Sequence, residues 1–329
     1  MHGLENRQIL KNMLCVRYQS DKKGITVNED ALPVGYTYDK IMHKEDYDSL
    51  TPLERQAALL EYAVLDEDGE KILEQQEKTF ENRKSPSDDT ITHGDLKITE
   101  SDRASYKGSR LKGKKHGKIN LKFRTEKKSE TYLVLKGLSS RSKVRKKQIL
   151  SVKSKKARFE IPMCAVSNEK EMNRDFIAVN LGVAQMGTCS LCFHKSHTYK
   201  LNDMEIRGIS ESFIKEQTKE RREESMTEVK QSTNRISGKI SVSEDKILQL
   251  AVPYSEGWHI YIDGKEAKTF TSSVAYTGVL IEKGEHTVEM HYISPWIIPG
   301  TVLSVAAWIW MALSFAVKKR RISADKRIK

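Results

Sequence analysis

The chain has no apolar run near its start that could serve as a signal peptide, since Met1, His2, Gly3, Leu4, Glu5, Asn6 and Arg7 are mixed and polar. It also has no G-x-S-x-G, no Walker-type loop, no H-E-x-x-H and no G-x-G-x-x-G, so no acid, base or nucleophile constellation stands out. Four cysteines, Cys15, Cys164, Cys189 and Cys192, form no disulfide framework, and an extracellular domain of this size does not require one. There is no internal repeat. Long hydrophobic runs are absent with one exception, the 22 uncharged residues from Trp296 to Val317.

At 1.5 Å per residue that run spans about 33 Å, enough for a hydrocarbon core of about 30 Å. It predicts a transmembrane helix over 296–317. Lys318, Lys319, Arg320 and Arg321 follow at once, with no comparable cluster before Trp296. By the positive-inside rule the 318–329 tail is then cytoplasmic and residues 1–295 extracytoplasmic. With no signal peptide to carry it across, such a domain is expected either to follow other membrane spans of a longer protein or to be a cytosolic, tail-anchored domain.

The formal charge of +12 is uneven. Between Lys107 and Arg158 there are 20 Lys and Arg against two acids, Glu126 and Glu130. A block like this, with Lys112, Lys114 and Lys115 as its candidate binding residues, can bind a polyanion, whether nucleic acid, teichoic acid or anionic headgroups; its alternative is a solvated strand face. Nucleic acid is disfavoured as partner, because the block has few aromatics to stack on bases and the topology is extracytoplasmic.

Periodicity predicts a mainly β protein with a few helices: two β-sandwich or jelly-roll-like extracytoplasmic domains and one C-terminal transmembrane helix. Residues 1–75 read as an α/β segment with a helix over 52–64, opened by Thr51, Pro52 and Glu54 as a capping box. Residues 76–90 read as a polar linker and 91–206 as a jelly-roll-like sandwich carrying the basic block 107–158. A charged helical connector follows over 207–235, with Ser210 as a candidate N-cap. A compact antiparallel β-domain occupies 236–294, where Trp258, Ile260 and Ile262 face one way and Asp263-Gly264 makes a two-residue turn.

Three groups of residues are candidates for chemistry. Tyr36, Tyr38 and Asp39 form an aromatic and acidic cluster that could line a sugar cleft, or simply be a loop with buried tyrosines. Tyr261 is the exposed stacking candidate opposite Trp258. Cys189, Cys192, His194 and His197 have a C-x-x-C-x-H-x-x-H spacing that can suit zinc. Four ligands within nine residues of a strand point to opposite faces, however, so an ordinary strand and turn is the favoured reading and no metal or other cofactor is expected in this chain.

Several strings resemble the C-terminal part of the YfhO family of bacterial membrane proteins, in the family's order and over nearly the whole chain. They are Leu32-Pro33-Val34-Gly35-Tyr36-Thr37-Tyr38-Asp39, Arg55-Gln56-Ala57-Ala58-Leu59-Leu60, Val179-Asn180-Leu181-Gly182, Leu250-Ala251-Val252-Pro253-Tyr254-Ser255-Glu256-Gly257-Trp258, Ile262-Asp263-Gly264-Lys265 and Glu282-Lys283-Gly284-Glu285-His286. The resemblance implies a multi-spanning protein similar to GT-C glycosyltransferases, which take a polyprenyl-phosphate-linked sugar, with teichoic acid glycosylation as the associated role. It also implies that catalytic residues lie in an upstream multi-helix region, so none is assigned here. The expected partners are the lipid bilayer, that upstream transmembrane region and an anionic cell-wall polymer. Two alternatives remain: a single-pass surface module binding anionic polymer or carbohydrate, and a cytosolic tail-anchored protein with zinc at Cys189 and Cys192.

Overall fold

A computed structural model describes residues 7–21, 24–87, 89–140, 148–155, 158–163 and 173–325. Cys164 and the 141–147 and 156–157 stretches of the basic block lie outside the described residues. The protein is mostly β, with several sheets, and it ends in one long apolar helix, as the periodicity predicts.

The first sandwich is built from strands long enough to bend from one of its layers into the other. β7 (Ile91–Lys107), β8 (Arg110–Ser140) and β11 (Asn173–Phe193) are its long members. The first half of β8 pairs with β7 and with the second half of β11, to which β9 (Gln148–Ser154) and β10 (Arg158–Met163) add. The second half of β8 pairs with the first half of β11 and with β13 (Asp203–Ser210), while β12 (His197–Lys200) runs parallel to β8. Leu121, Phe123, Leu133, Leu135, Val179 and Leu191 fill the space between the layers.

The second sandwich draws on both ends of the chain. One sheet runs in the order β3 (Gly35–Tyr38), β16 (Lys246–Pro253), β20 (Tyr276–Ile281), β19 (Thr269–Ser272), β5 (Ala63–Leu65), β4 (Lys40–His43) and β6 (Glu81–Asn82). The other contains β14 (Thr227–Gln231), β15 (Arg235–Val242), β21 (Gly284–Tyr292), β17 (Trp258–Ile262) and β18 (Lys265–Ala267). Residues of 1–75 and of 236–294, separate segments by composition, therefore share one sheet. The physical reason is that β16 is a central strand and needs hydrogen-bond partners on both sides; β20 supplies one and β3 the other. β6 brings part of the polar 76–90 stretch into the same sheet, parallel to β4.

Between the sandwiches lies a layer of helices. α1 (Gln8–Met13), α3 (Pro52–Glu61) and α5 (Glu211–Glu223) contribute Ile9, Met13, Ala57, Leu60 and Ile214 to a core that also takes Tyr132 and Val134 from the first sandwich and Ile247 and Phe270 from the second. Two further helices, α2 (Lys44–Ser49) and α4 (Glu67–Gln75), flank the β4 and β5 end. The capping box is present: the Thr51 backbone N–H and hydroxyl both reach Glu54 Oε2, at 2.8 and 2.6 Å. α3 stops at Glu61, however, rather than at residue 64. Tyr62 turns extended and Ala63–Leu65 join β4 in parallel, because three consecutive apolar residues are better buried from both faces of a strand than on one helical stripe. α5 begins after Ser210 as expected, but the Ser210 hydroxyl bonds the Ser212 hydroxyl at 2.7 Å and does not cap.

The two-residue turn is as read: Asp263 and Gly264 both have positive φ, 50° and 77°, between paired Ile262 and Lys265. β1 (Tyr18–Asp21) and β2 (Gly24–Val27) form a hairpin attached to no other sheet. After β21 the chain enters α6 (Ile297–Asp325), whose Pro299–Ala316 section is long and apolar enough to cross a membrane and is nowhere buried by the rest of the protein.

Where the first sandwich meets the helices, Glu130 is fully buried. Its carboxylate accepts from the Gln8 backbone N–H and the Asn180 amide, each at 2.8 Å, and from the Tyr132 hydroxyl, which in turn accepts from Gln56 Nε2 at 2.8 Å. Burial raises the Glu130 pKa above the ordinary 4.5, and the hydrogen bonds and Arg7 only partly oppose it. The folded protein therefore holds this proton more tightly than the unfolded chain does. The contribution favours folding most below pH 4.5 and declines as pH rises through the raised value. We expect urea unfolding to show stability falling across that window by up to about 1.4 kcal/mol per pH unit, and Glu130→Gln to remove this slope.

Candidate functional site

Tyr36 and Tyr38 are core residues. Each is 0% exposed, so neither can line a cleft. The Tyr36 hydroxyl accepts from Gln249 Nε2 at 2.9 Å, and the Tyr38 hydroxyl donates to the Leu59 carbonyl at 2.7 Å. Asp39 pairs with Arg221, a guanidinium 2% exposed that also donates to the Thr37 carbonyl at 2.8 Å and lies 4.7 Å from the centre of the Tyr38 ring. Burial alone would raise the Asp39 carboxyl, but Arg221 outweighs it with help from Lys40 and holds it below the usual range. This cluster fastens α5 to β3, the outcome allowed for by reading the tyrosines as buried.

Tyr261 is half-buried and its ring packs against His291 with centroids 5.4 Å apart, while Trp258 faces the core of the second sandwich. The cysteine and histidine set does not converge. Cys189 points into the first sandwich, its thiol pushed up to about 12 by burial, whereas Cys192 is on the opposite face of β11. His194 bonds the Ser151 hydroxyl at 3.1 Å and His197 the Ser140 hydroxyl at 2.8 Å. Among the described residues no group of His, Cys, Asp and Glu has the geometry to hold a metal.

Lys112, Lys114 and Lys115 are exposed on β8. Strand alternation places Leu111, Gly113, Ile119, Leu121 and Phe123 inward, so Lys112, Lys114, Lys118 and Lys122 all fall on the outer face of one sandwich layer. β9 adds Lys153 and β7 adds Lys97 to that face. None of these six makes an ion pair among the described residues.

The register is more telling than the count. Lys97 lies directly opposite Lys122, Lys107 opposite Arg110 and Lys153 opposite Arg158. Directly opposed like charges destabilise an antiparallel pair, and here three such pairs share one face. Its acids are already engaged: Asp95 lies opposite Arg124, Asp102 lies opposite Lys118 and 3.9 Å from Arg103, Glu100 is occupied by the Asn120 amide at 2.8 Å and Glu160 by Arg158 at 3.0 Å. Uncharged Thr188, Ser190 and Asn120 lie between the cations.

A cleft of ≈ 780 Å³ was not foreseen from the sequence. It opens at the C-terminal ends of parallel strands β4, β5 and β6 and is lined by seven carboxylates, including Asp46, Asp66, Asp68 and Glu70. Most are engaged locally: Asp66 caps α4 through the Gly69 N–H at 3.0 Å, Glu70 binds His43, Asp48 binds Lys44, and Glu67 and Asp68 face Lys71. A signal existed in the Asp66-Glu67-Asp68 run at a helix start.

The model of the family described as bacterial membrane protein YfhO matches residues 4–304. The chain belongs to the YfhO family. A curated relative, the uncharacterized protein YfhO of Bacillus subtilis (strain 168), is 22% identical over 142 residues, which is 43% of this chain and 16% of that protein. The chain thus spans a small part of the relative's length. Solved structures with some likeness include a family GH115 4-O-methyl-α-glucuronidase (TM-score 0.27, 14% identity, 33% of this chain and 16% of that one). A Paenibacillus cycloisomaltooligosaccharide glucanotransferase has a TM-score of 0.23 at 8% identity, covering 61% of this chain and 44% of its own. The arabinofuranosyltransferase AftD from Mycobacteria has 0.20 at 8% identity, covering 63% and 24%. Likenesses this slight carry no argument about the chain's chemistry.

If the opposed cations strain the outer face, Lys122→Glu should raise stability by about 0.5 kcal/mol by forming a pair with Lys97, read as a higher denaturation midpoint at low salt. The gain should shrink as salt screens it.

Proposed function

We propose that this chain is the extracytoplasmic C-terminal region and last membrane span of a YfhO-family glycosyltransferase, and that the outer face of its first sandwich holds an anionic cell-wall polymer of the teichoic acid kind. Membership of a bacterial membrane protein family and the one apolar helix support the membrane attachment. The sugar-transfer part of the reading comes from the resemblance of the strings to GT-C-like proteins, with the catalytic groups in the upstream multi-helix region and the present region acting as acceptor holder.

The observation that carries the polymer reading is the three like-charged cross-strand pairs, Lys97/Lys122, Lys107/Arg110 and Lys153/Arg158, on one face. Each costs the isolated fold some stability, and each is relieved when phosphates of a polymer settle between the cations. Interleaved Thr188, Ser190 and Asn120 offer hydrogen bonds to hydroxyls or phosphate oxygens without adding charge. The carboxylate-lined cleft beside β4 disfavours the same polymer by its charge.

Fluorescence anisotropy with labelled poly(glycerol phosphate) tests this on the full chain in detergent. Binding should weaken steeply between low and physiological salt, and joint Lys118→Glu, Lys122→Glu and Lys153→Glu should reduce affinity at least about tenfold, a loss of 1.4 kcal/mol. Binding unaffected by these changes, or no preference over neutral dextran, overturns the polymer reading. Supplied with polyprenyl-phosphate sugar and polymer, the chain alone should show no transfer; turnover would place catalytic groups within it.

A further inference from the structure

The end of β21 feeds the apolar helix, and the loops around it are tied together by backbone hydrogen bonds. The Ile293 N–H donates to the Gly257 carbonyl at 2.8 Å, and the Tyr254 N–H donates to the Ala275 carbonyl at 2.8 Å. The 254–257 loop therefore bridges the strand end and the 273–275 turn. This close approach requires glycine: a Cβ on Gly257 would lie 2.6 Å from the Ile293 carbonyl oxygen and 2.7 Å from the Tyr292 ring.

Ile293 is four residues from Ile297, where α6 begins, a reach of at most about 14 Å. The headgroup layer on each side of a bilayer is itself about 5–8 Å thick. The tied loops are thus held within a short distance of the membrane surface, whichever way the helix tilts.

What these loops present is apolar. Tyr254 is 39% exposed, Val274 50%, Ile293 48% and Trp296 80%. Val274 is the most unusual of them. It and Ser273 have φ of 77° and 46°, the left-handed region that hairpin turns normally fill with glycine or asparagine. Holding a β-branched residue there strains the backbone, and in water the exposed side chain returns nothing. Tyr and Trp are the residues that favour the boundary between headgroups and acyl chains.

We propose that Tyr254, Val274, Ile293 and Trp296 form a bilayer-contact surface that rests in the headgroup region and seats the second sandwich on the membrane. The occupant is lipid, by continuity with the spanning helix. The span alone would leave the sandwich free to swing about residues 293–297. Contact at Tyr254 and Val274, on two other loops, fixes both its tilt and the direction in which the basic face of the first sandwich points.

Photo-crosslinking separates these cases. In the full chain in nanodiscs of phosphatidylglycerol and phosphatidylethanolamine, p-benzoylphenylalanine is introduced at Tyr254, at Val274 or, as a control, at Ile98 of the first sandwich, which is 44% exposed. Tyr254 retains an aromatic ring in this exchange, so one of the two test sites leaves the turn backbone untouched. Irradiation should give lipid adducts, identified by peptide mass, about tenfold more abundant at 254 or 274 than at 98. Equal yields at all three sites, or crosslinks at 254 and 274 to a second protein copy without lipid adducts, would overturn the proposal.

Discussion

Residues Ser129 to Leu135 of β8 are buried on both faces, and the rest of the architecture depends on that double burial. Leu133 and Leu135 pack inside the first sandwich, while Tyr132 and Val134 turn outward into the helical layer. A strand with two dry faces leaves its polar groups no water to fall back on. Glu130 therefore needs the Gln8, Tyr132 and Asn180 donors, and Tyr132 needs Gln56. Three distant segments meet at this one strand, and two of them, around Gln56 and Asn180, belong to the strings that carry the family resemblance. Both strings thus contribute a side chain to the joint between layers.

The polar residues divide into two populations. Arg221, Glu130, Asn180 and Gln249 are interior and have fixed partners, the half-buried Asp39 among them, so their chemistry is spent on holding elements together. Many lysines of the first sandwich are exterior, and three cross-strand positions set like charges opposite each other, Lys97/Lys122, Lys107/Arg110 and Lys153/Arg158. These opposed cations of the first sandwich thus lie on the surface, where salt or an anionic ligand can relieve them.

Much of this was legible along the chain. The apolar helix, the Thr51–Glu54 box, the Asp263-Gly264 turn and the inward alternation of Trp258, Ile260 and Ile262 follow from local spacing, and the structure has each. The end of α3 was not legible, because Tyr62, Ala63 and Val64 fit a helical stripe as well as a strand; pairing with β4 decided between them. The sharing of one sheet by β3 and β16 was also hidden, since period-two alternation reports which face is buried and not which strand lies alongside. For the candidate site, the sequence located the lysines but not their opposition, which is a property of register. Tyr36 and Tyr38 show the converse: residue types that suit a sugar cleft are equally at home in a core, and only burial distinguishes the two.

The sheet that joins β3 and β4 to β16 and β20 also constrains the order in which the molecule can come into being. A ribosome delivers β3 some two hundred residues before its neighbour β16. Until then β3, β4 and β5 have no complete sheet to join, and the first sandwich, made of contiguous sequence, can close without them. The helical layer then waits on the last part of the chain, and the sheet is completed only shortly before the membrane segment α6 emerges. Maturation of the whole assembly is in this way tied to the arrival of its anchor, and a chain truncated ahead of residue 246 would be left with exposed, unpaired strand edges of the kind that quality-control proteases recognise.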